Sequence, residues 1–251
     1  MLARYVLLLL LILPLQEKTV QVPEPVQKLL KAYPDHITGY KDNYIIFKDG
    51  TKLPYDDGRQ KSAGELLNSA DVEDQFKYDY KPGKRERGNT MDPGRIRNED
   101  FFKKIYGFSA KEVEPRLVTV TWCPKLVNQK IRVTTVNGLD KIVTALSNEL
   151  DRHPEFKPFV SNIGGTYNWR KISGTDRLSA HSFGSTIDIN VKYSDYWQWQ
   201  CECKDEGVKL VYKNKIPESL VAIFEKYGFI WGGKWYHFDT MHFEYRPEML
   251  P

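Results

Sequence analysis

Cysteine is scarce in this chain: there are three in 251 residues, Cys123, Cys201 and Cys203. Three thiols allow at most one disulfide and a free thiol, so the fold cannot rest on a disulfide framework. The pair in "CEC" has no second C-x-C or C-x-x-C partner, which removes the usual signature of a structural metal knuckle. Long apolar runs are also missing. The longest, the eleven residues of "YVLLLLLILPL" after Arg4, falls short of the roughly 20 needed to cross a bilayer. Followed by the polar "QEK", it is expected to be an export signal over residues 1–16, although no A-x-A site marks the cut. The mature protein is then expected in the periplasm or outside the cell, with no stable membrane span. Charge of one sign is lacking as well, since 37 basic residues face 33 acidic ones for a net +4. The densest basic cluster, "KPGKRER", sits among Pro and Gly and reads as a solvated loop, so nucleic acid is not an expected partner. No internal repeat and no regular βαβ alternation are present, which leaves α+β as the fold class, a small antiparallel sheet with packed helices.

What is present suffices for a full core, with 41% hydrophobic and 28% charged residues. Residues 17–97 are polar and rich in turn signals, and are expected to form an extended N-terminal arm with one hairpin, "NYIIFKDGTKLPY", wrapped on the core. Residues 98–251 carry the longer periods. "NEDFFKKIYG" has an Asn98 cap, acids early, lysines late and Gly107 as a stop, which predicts a short helix. "RLVTVTW" and "KIRVTTV" read as strands. Leu139, Ile142, Val143, Leu146 and Leu150 fall on one helical face, and Pro217 opens a second helix that Gly228 closes.

Two stretches break the rule that apolar flanks announce buried strand. In "TIDIN", Asp188 stands between two isoleucines; in "WYHFDTMHFEYRP", His237, Asp239 and His242 are crowded among aromatics. A carboxylate desolvated in this way costs several kcal/mol unless it is hydrogen-bonded, ion-paired or bound to a metal. An ordinary salt bridge would satisfy Asp188. So would zinc: His181 lies seven residues earlier beyond Gly184, and His242 supplies a third ligand from a later strand. Two histidines and a carboxylate leave the fourth tetrahedral position open, as in catalytic rather than structural sites. Asp239, three residues before His242, is placed to act as general base. His36 and His153 stand apart and read as structural; His237 reads as a wall residue of the same site.

These residues also carry a resemblance. "SAHSFGSTID" fits S-x-H-x-x-G-x-x-x-D and "DTMHFE" fits D-x-x-H-F, in that order and about 50 residues apart. Together they resemble the zinc D-alanyl-D-alanine carboxypeptidase family, which also contains L-alanyl-D-glutamate endopeptidases. The similarity extends through "GGTYNWRKISGTDRLSAHSFG" and "GFIWGGKWYHFDTMHFEYRPE", over roughly residues 95–250, and looks closest to the endopeptidase branch. It implies a DD-peptidase-like fold and one zinc per chain, held by His181, Asp188 and His242. Asp239 is then the base and Arg170 the group that stabilises charge or holds a substrate carboxylate. Arg177, Ser179, Trp235 and His237 are candidate substrate contacts. Thr186 departs from the family's usual Ala and adds a hydroxyl beside Asp188.

The expected function is zinc-assisted hydrolysis of a peptide bond in the stem peptide of peptidoglycan, with the L-alanyl-D-glutamate bond favoured. Removal of terminal D-alanine is the alternative, and a non-catalytic zinc-stabilised wall-binding module is the alternative of another class.

Overall fold

A computed structural model describes residues 21–86, 88–200 and 206–251. The expected export signal, Cys201 and Cys203 lie outside the described residues. The chain runs α1 (Glu24–Ala32), β1 (Ile37–Lys41), β2 (Tyr44–Phe47), β3 (Lys52–Pro54), α2 (Ala63–Asn68), α3 (Glu99–Tyr106) and α4 (Ala110–Val113). It continues through β4 (Leu117–Trp122), β5 (Gln129–Thr134), α5 (Leu139–Leu150), α6 (Lys157–Val160), β6 (Thr186–Asp188), α7 (Glu218–Lys226), β7 (Phe229–Trp231) and β8 (His242–Tyr245). The architecture is α+β, with three small antiparallel sheets among the described residues rather than one: β1-β2-β3, β4-β5 and β6-β8-β7.

Local chemistry explains the helix ends. The Asn98 side chain accepts from Phe101 N at 2.7 Å, satisfying one of the free amides of α3, and Ser62 and Glu65 form a reciprocal capping box on α2. Amphipathic faces then decide the packing. Leu139, Val143, Leu146 and Leu150 of α5 and Leu220, Val221 and Phe224 of α7 are buried with Trp122, Ile131 and Val133 of the β4-β5 hairpin. Ile187, Phe229, Trp231 and Phe243 of the central sheet close that core. Phe224 stacks on Phe243 of β8 at 3.8 Å between ring centroids. Cys123 is a buried free thiol here, its pKa pushed up to about 12 by burial.

A second core joins α1, β1 to β3 and α3, and receives Phe183 from the later half of the chain. Phe183 lies 5.8 Å from Phe102 and 5.6 Å from Tyr106, centroid to centroid. Polar ties reinforce the union. Tyr33 Oη donates to Glu248 at 2.8 Å, Tyr80 Oη to Glu225 at 2.7 Å, and buried Arg246 donates from Nη1 to the Gly94 carbonyl at 2.9 Å. The N-terminal segment is thus packed against the strand that carries His242. Among the described residues no helix is long and apolar enough to cross a membrane.

Because Phe224 is fully buried against β8, Phe224→Ala should lose about 3–5 kcal/mol of unfolding free energy, through lost burial and a residual cavity. Urea denaturation measures this directly. A loss near zero would mean that α7 is not packed on the central sheet as described.

Candidate metal centre and active site

His181 reaches its place through a tight turn, Ala180–Phe183, which Ser179 caps by accepting from His181 N at 3.3 Å. Gly184 ends that turn at φ +65°, where a Cβ would stand 2.6 Å from Leu117 Cδ2, so glycine is needed for both conformation and space. Its carbonyl accepts from Thr134 N at 3.0 Å and fastens the turn to β5. Asp188 ends β6 directly opposite His242 on β8. The pleat and the ladder therefore aim both side chains to one side of the sheet. Asn190, two residues further on, lies beyond the strand and holds the Pro158 carbonyl instead.

The three groups form a nest. Asp188 Oδ2 lies 3.1 Å from His181 Nε2, and Oδ1 lies 2.9 Å from His242 Nδ1. The ring centroids are 5.3 Å apart. Each imidazole is steered from behind. The Thr186 hydroxyl donates to the Thr166 carbonyl at 3.1 Å, so its oxygen is free to accept from His181 Nδ1 at 2.8 Å. That assigns the proton to Nδ1 and turns the Nε2 lone pair toward the Asp188 carboxylate. A lone pair facing an anion calls for a cation between them. His242 Nε2 faces Glu244 Oε2 at 3.4 Å, which leaves Nδ1 for the nest. The hydroxyl of Thr186 thus serves His181, not Asp188.

Donor atoms held about 2.0–2.1 Å from a tetrahedral ion sit roughly 3.3 Å apart, and the separations here are close to that. The electrostatics agree. Burial alone would raise the Asp188 pKa, but hydrogen bonds and positive charge from the two imidazoles in their protonated form, a role a bound cation would take over, hold it well below the usual carboxylate range. Burial alone would lower that of His242, but hydrogen bonds to Asp188 and Glu244, and the charges of Asp188 and Asp239, raise it to about 10. The nest favours positive charge, and a divalent cation competes with that proton for the same nitrogen. Histidine, histidine and aspartate with backing acceptors are a donor set suited to zinc.

Asp239 is held beside the nest by its backbone. Its amide donates to the Gly232 carbonyl at 3.1 Å and its carbonyl accepts from His242 N at 3.2 Å. A Cβ on Gly232 would stand 2.7 Å from the Asp239 carbonyl oxygen, so this approach requires glycine. Oδ1 of Asp239 is buried without a hydrogen-bond partner among the described residues. Burial first, and the Asp188 charge second, push its pKa to about 7.

All nine residues singled out in the sequence line one cavity of about 360 Å³: Arg170, Arg177, Ser179, His181, Asp188, Trp235, His237, Asp239 and His242. Their surroundings differ. Arg170 is exposed and donates to the Lys171 carbonyl at 3.3 Å. Trp235 is buried against His242, its indole donating to the Pro93 carbonyl at 2.7 Å. His237 has both nitrogens engaged, Nδ1 by Asp92 at 2.6 Å and Nε2 by the Glu206 carbonyl at 2.9 Å, so it braces the wall and has no nitrogen left for substrate. His153 pairs with Glu155 at the surface, away from the cavity.

Sequence reasoning passed over Arg95, Arg97, Asp92 and Glu244. Arg97 Nη1 donates to Glu244 Oε2 at 2.8 Å, which extends the chain of contacts behind His242. The signals were present. Glu244 is a second carboxylate between aromatics, spaced two from His242, and "RIR" alternates two arginines about buried Ile96.

Residues 173–245 match a peptidase family described as D-alanyl-D-alanine carboxypeptidase. No curated protein and no solved structure matches the chain. The matched segment contains His181, Asp188, Asp239 and His242, and the match is to metallo-hydrolases acting on peptide bonds. The family is zinc-dependent, and a peptidoglycan peptide is the substrate class it implies. The match carries nothing in favour of the L-alanyl-D-glutamate branch, and it supports the carboxypeptidase alternative better.

The His237–Asp92 pair gives a pH dependence. Burial lowers the His237 pKa, but the Asp92 hydrogen bond and charge outweigh it and the net shift is upward. Burial raises that of Asp92, but His237 and Arg95 bring it down. The histidine's contribution to stability is complete below its unfolded value of about 6.5 and is lost as pH rises through its folded value. The aspartate's is complete above about 3.9 and is lost as pH falls. Denaturant unfolding should therefore show stability declining as pH is raised from about 6, a decline to which the raised pKa values of His242 and Asp239 also contribute, and His237→Gln should make it shallower. An unchanged slope in the variant would separate the pair from the pH dependence.

Proposed function

We propose that the protein is a zinc carboxypeptidase that releases D-alanine from stem peptides of peptidoglycan ending in D-alanyl-D-alanine. The observation that carries the reading is the family match across the segment in which Asp239, with its unpartnered buried carboxylate oxygen, stands beside the His181, Asp188 and His242 nest. His181 Nε2, His242 Nδ1 and one Asp188 oxygen would hold the zinc. When bound there, zinc supplies a Lewis acid for the scissile carbonyl and acidifies water toward a pKa of about 7.

The remaining steps belong to the chain. Asp239 takes the proton of the attacking water as the C–O bond forms, then delivers it to the departing amine of D-alanine as the C–N bond breaks. A pKa of about 7 suits both halves of that task, because neither form is strongly preferred at neutral pH. Thr186 and Glu244 hold the imidazoles in orientation throughout. Arg170, at the exposed side of the cavity, stabilises negative charge on the reacting carbonyl oxygen. Export to the cell envelope by the N-terminal signal would bring the enzyme to its substrate.

Mass spectrometry of the products on defined muropeptides tests the reading, and free D-alanine is the expected product. A new D-glutamate amine instead would give the bond to the endopeptidase alternative. Asp239→Asn should keep about one zinc per chain and lose on the order of 10²–10⁴ in kcat, whereas Asp188→Ala should lose the metal. Equal zinc loss in both variants would refute the division between base and ligand.

A further inference from the structure

One wall of the active cavity is built from arginines. Arg95 and Arg97 come from the extended segment before α3, and Arg177 from the loop that leads to the His181 turn. The same three also line a second cavity of about 170 Å³ beside α3. Three guanidinium groups in one wall repel each other unless each is offset.

Two of them are offset. Arg95 grips Glu206 with Nη1 at 2.6 Å and Nη2 at 2.7 Å and touches Asp92 at 3.1 Å. Arg97 donates to Glu244 at 2.8 Å. Arg177 has no carboxylate within ion-pair distance among the described residues, and its Nε is buried without a partner. Asp100 and Asp239 line the two cavities but neither comes within ion-pair distance of Arg177, and the other acids that border the wall are already committed. Asp92 holds His237, Asp188 holds both imidazoles, and Glu99 accepts from Leu178 N and pairs with Lys103. Burial first, and the like charges of Arg95 and Arg97 next, draw the Arg177 pKa down to about 10, which leaves it cationic at neutral pH.

An uncompensated, half-buried guanidinium in a cavity shared with His181 and Asp239 calls for an anion from outside the chain. Its planar fork suits a carboxylate through two parallel hydrogen bonds. Ser179 and His181 follow Arg177 on one short loop, which fixes the distance from fork to nest. We propose that Arg177, with Arg97 beside it, is the subsite for the substrate's free C-terminal carboxylate, and that this anchor confines cleavage to the last peptide bond. The proposal rests on the carboxypeptidase reading above. It separates Arg177 from Arg170, whose exposed guanidinium already meets a backbone carbonyl. A substrate that continued past this point would leave the Arg177 charge buried and unpaired, which is how the wall discriminates against internal bonds.

The test is steady-state cleavage of an N-acylated peptide ending in D-alanyl-D-alanine, supplied as the free acid and as its C-terminal amide, with zinc content measured on every variant. The wild type should prefer the acid. Arg177→Gln should bind zinc normally yet lose on the order of 100-fold in kcat/KM on the acid, chiefly through KM, so that the acid-over-amide ratio collapses. Arg177→Lys keeps the charge without the fork and should retain part of the ratio. Calorimetric binding of the free acid to Asp239→Asn, with and without Arg177→Gln, should show the same loss without turnover. Wild-type ratios and binding in both Arg177 variants would overturn the subsite while leaving the carboxypeptidase reading in place. A wild type that releases no D-alanine from the acid and cuts an internal bond instead would overturn that reading, and the subsite with it.

Discussion

One carboxylate set between two imidazoles governs the rest of this structure. Asp188 ends a three-residue strand, is largely withdrawn from water, and faces nitrogen on both oxygens. A buried anion is tolerated only where its partners are fixed, because losing one partner leaves the full desolvation penalty uncompensated. The fold fixes them by different means. His242 is held by strand register, since β6 and β8 pair Asp188 with it directly. His181 is held by a capped turn fastened to β5 through the Gly184 carbonyl.

Behind the nest, polar groups are spent in a consistent order. The Thr186 hydroxyl and the Thr166 carbonyl settle the tautomer of His181. Glu244 does the corresponding work for His242 and is itself kept ionised by Arg97, Arg246 and His242; burial alone would have neutralised it, but the net shift takes its pKa down to about 2. Asp239 is the exception. It lines the same cavity but has an oxygen with no partner among the described residues, and its pKa moves the opposite way. Two aspartates that line one cavity are thus driven apart, one anionic and one poised near neutrality, which is the separation of roles that acid–base chemistry needs.

Much of this was legible because strand alternation exposes contradictions. Asp188 between isoleucines and His242 among aromatics announce themselves by residue type alone, and the helices α3, α5 and α7 follow their caps and apolar faces. The arginine wall was not legible. Arg97 meets Glu244 across 147 positions of sequence, and no local period encodes such a contact. His237 shows the opposite failure: its position marked it for the site, but only the distant Asp92 reveals that its ring is already occupied. Choice of bond is not written in the motifs for a related reason. Motif resemblance leaned toward the L-alanyl-D-glutamate branch, whereas bond choice depends on what walls the cleft, and part of that wall comes from outside the matched segment.

Arg246 adds a consequence for anyone who would treat residues 173–245 as a portable module. Its fully buried guanidinium donates to Glu248 and to the Gly94 carbonyl and lies 5.0 Å from the Phe102 ring centre, two of those three surroundings coming from before α4. Excised at those bounds, the segment would keep every zinc-ligand candidate but lose Arg246 and Arg97, and buried Glu244 would present an unpaired charge where a core had been. Recombination or domain transfer that respects the motif boundaries would therefore cut through the hydrophobic interior of this protein. The heritable unit of function here is larger than the signature by which it is recognised.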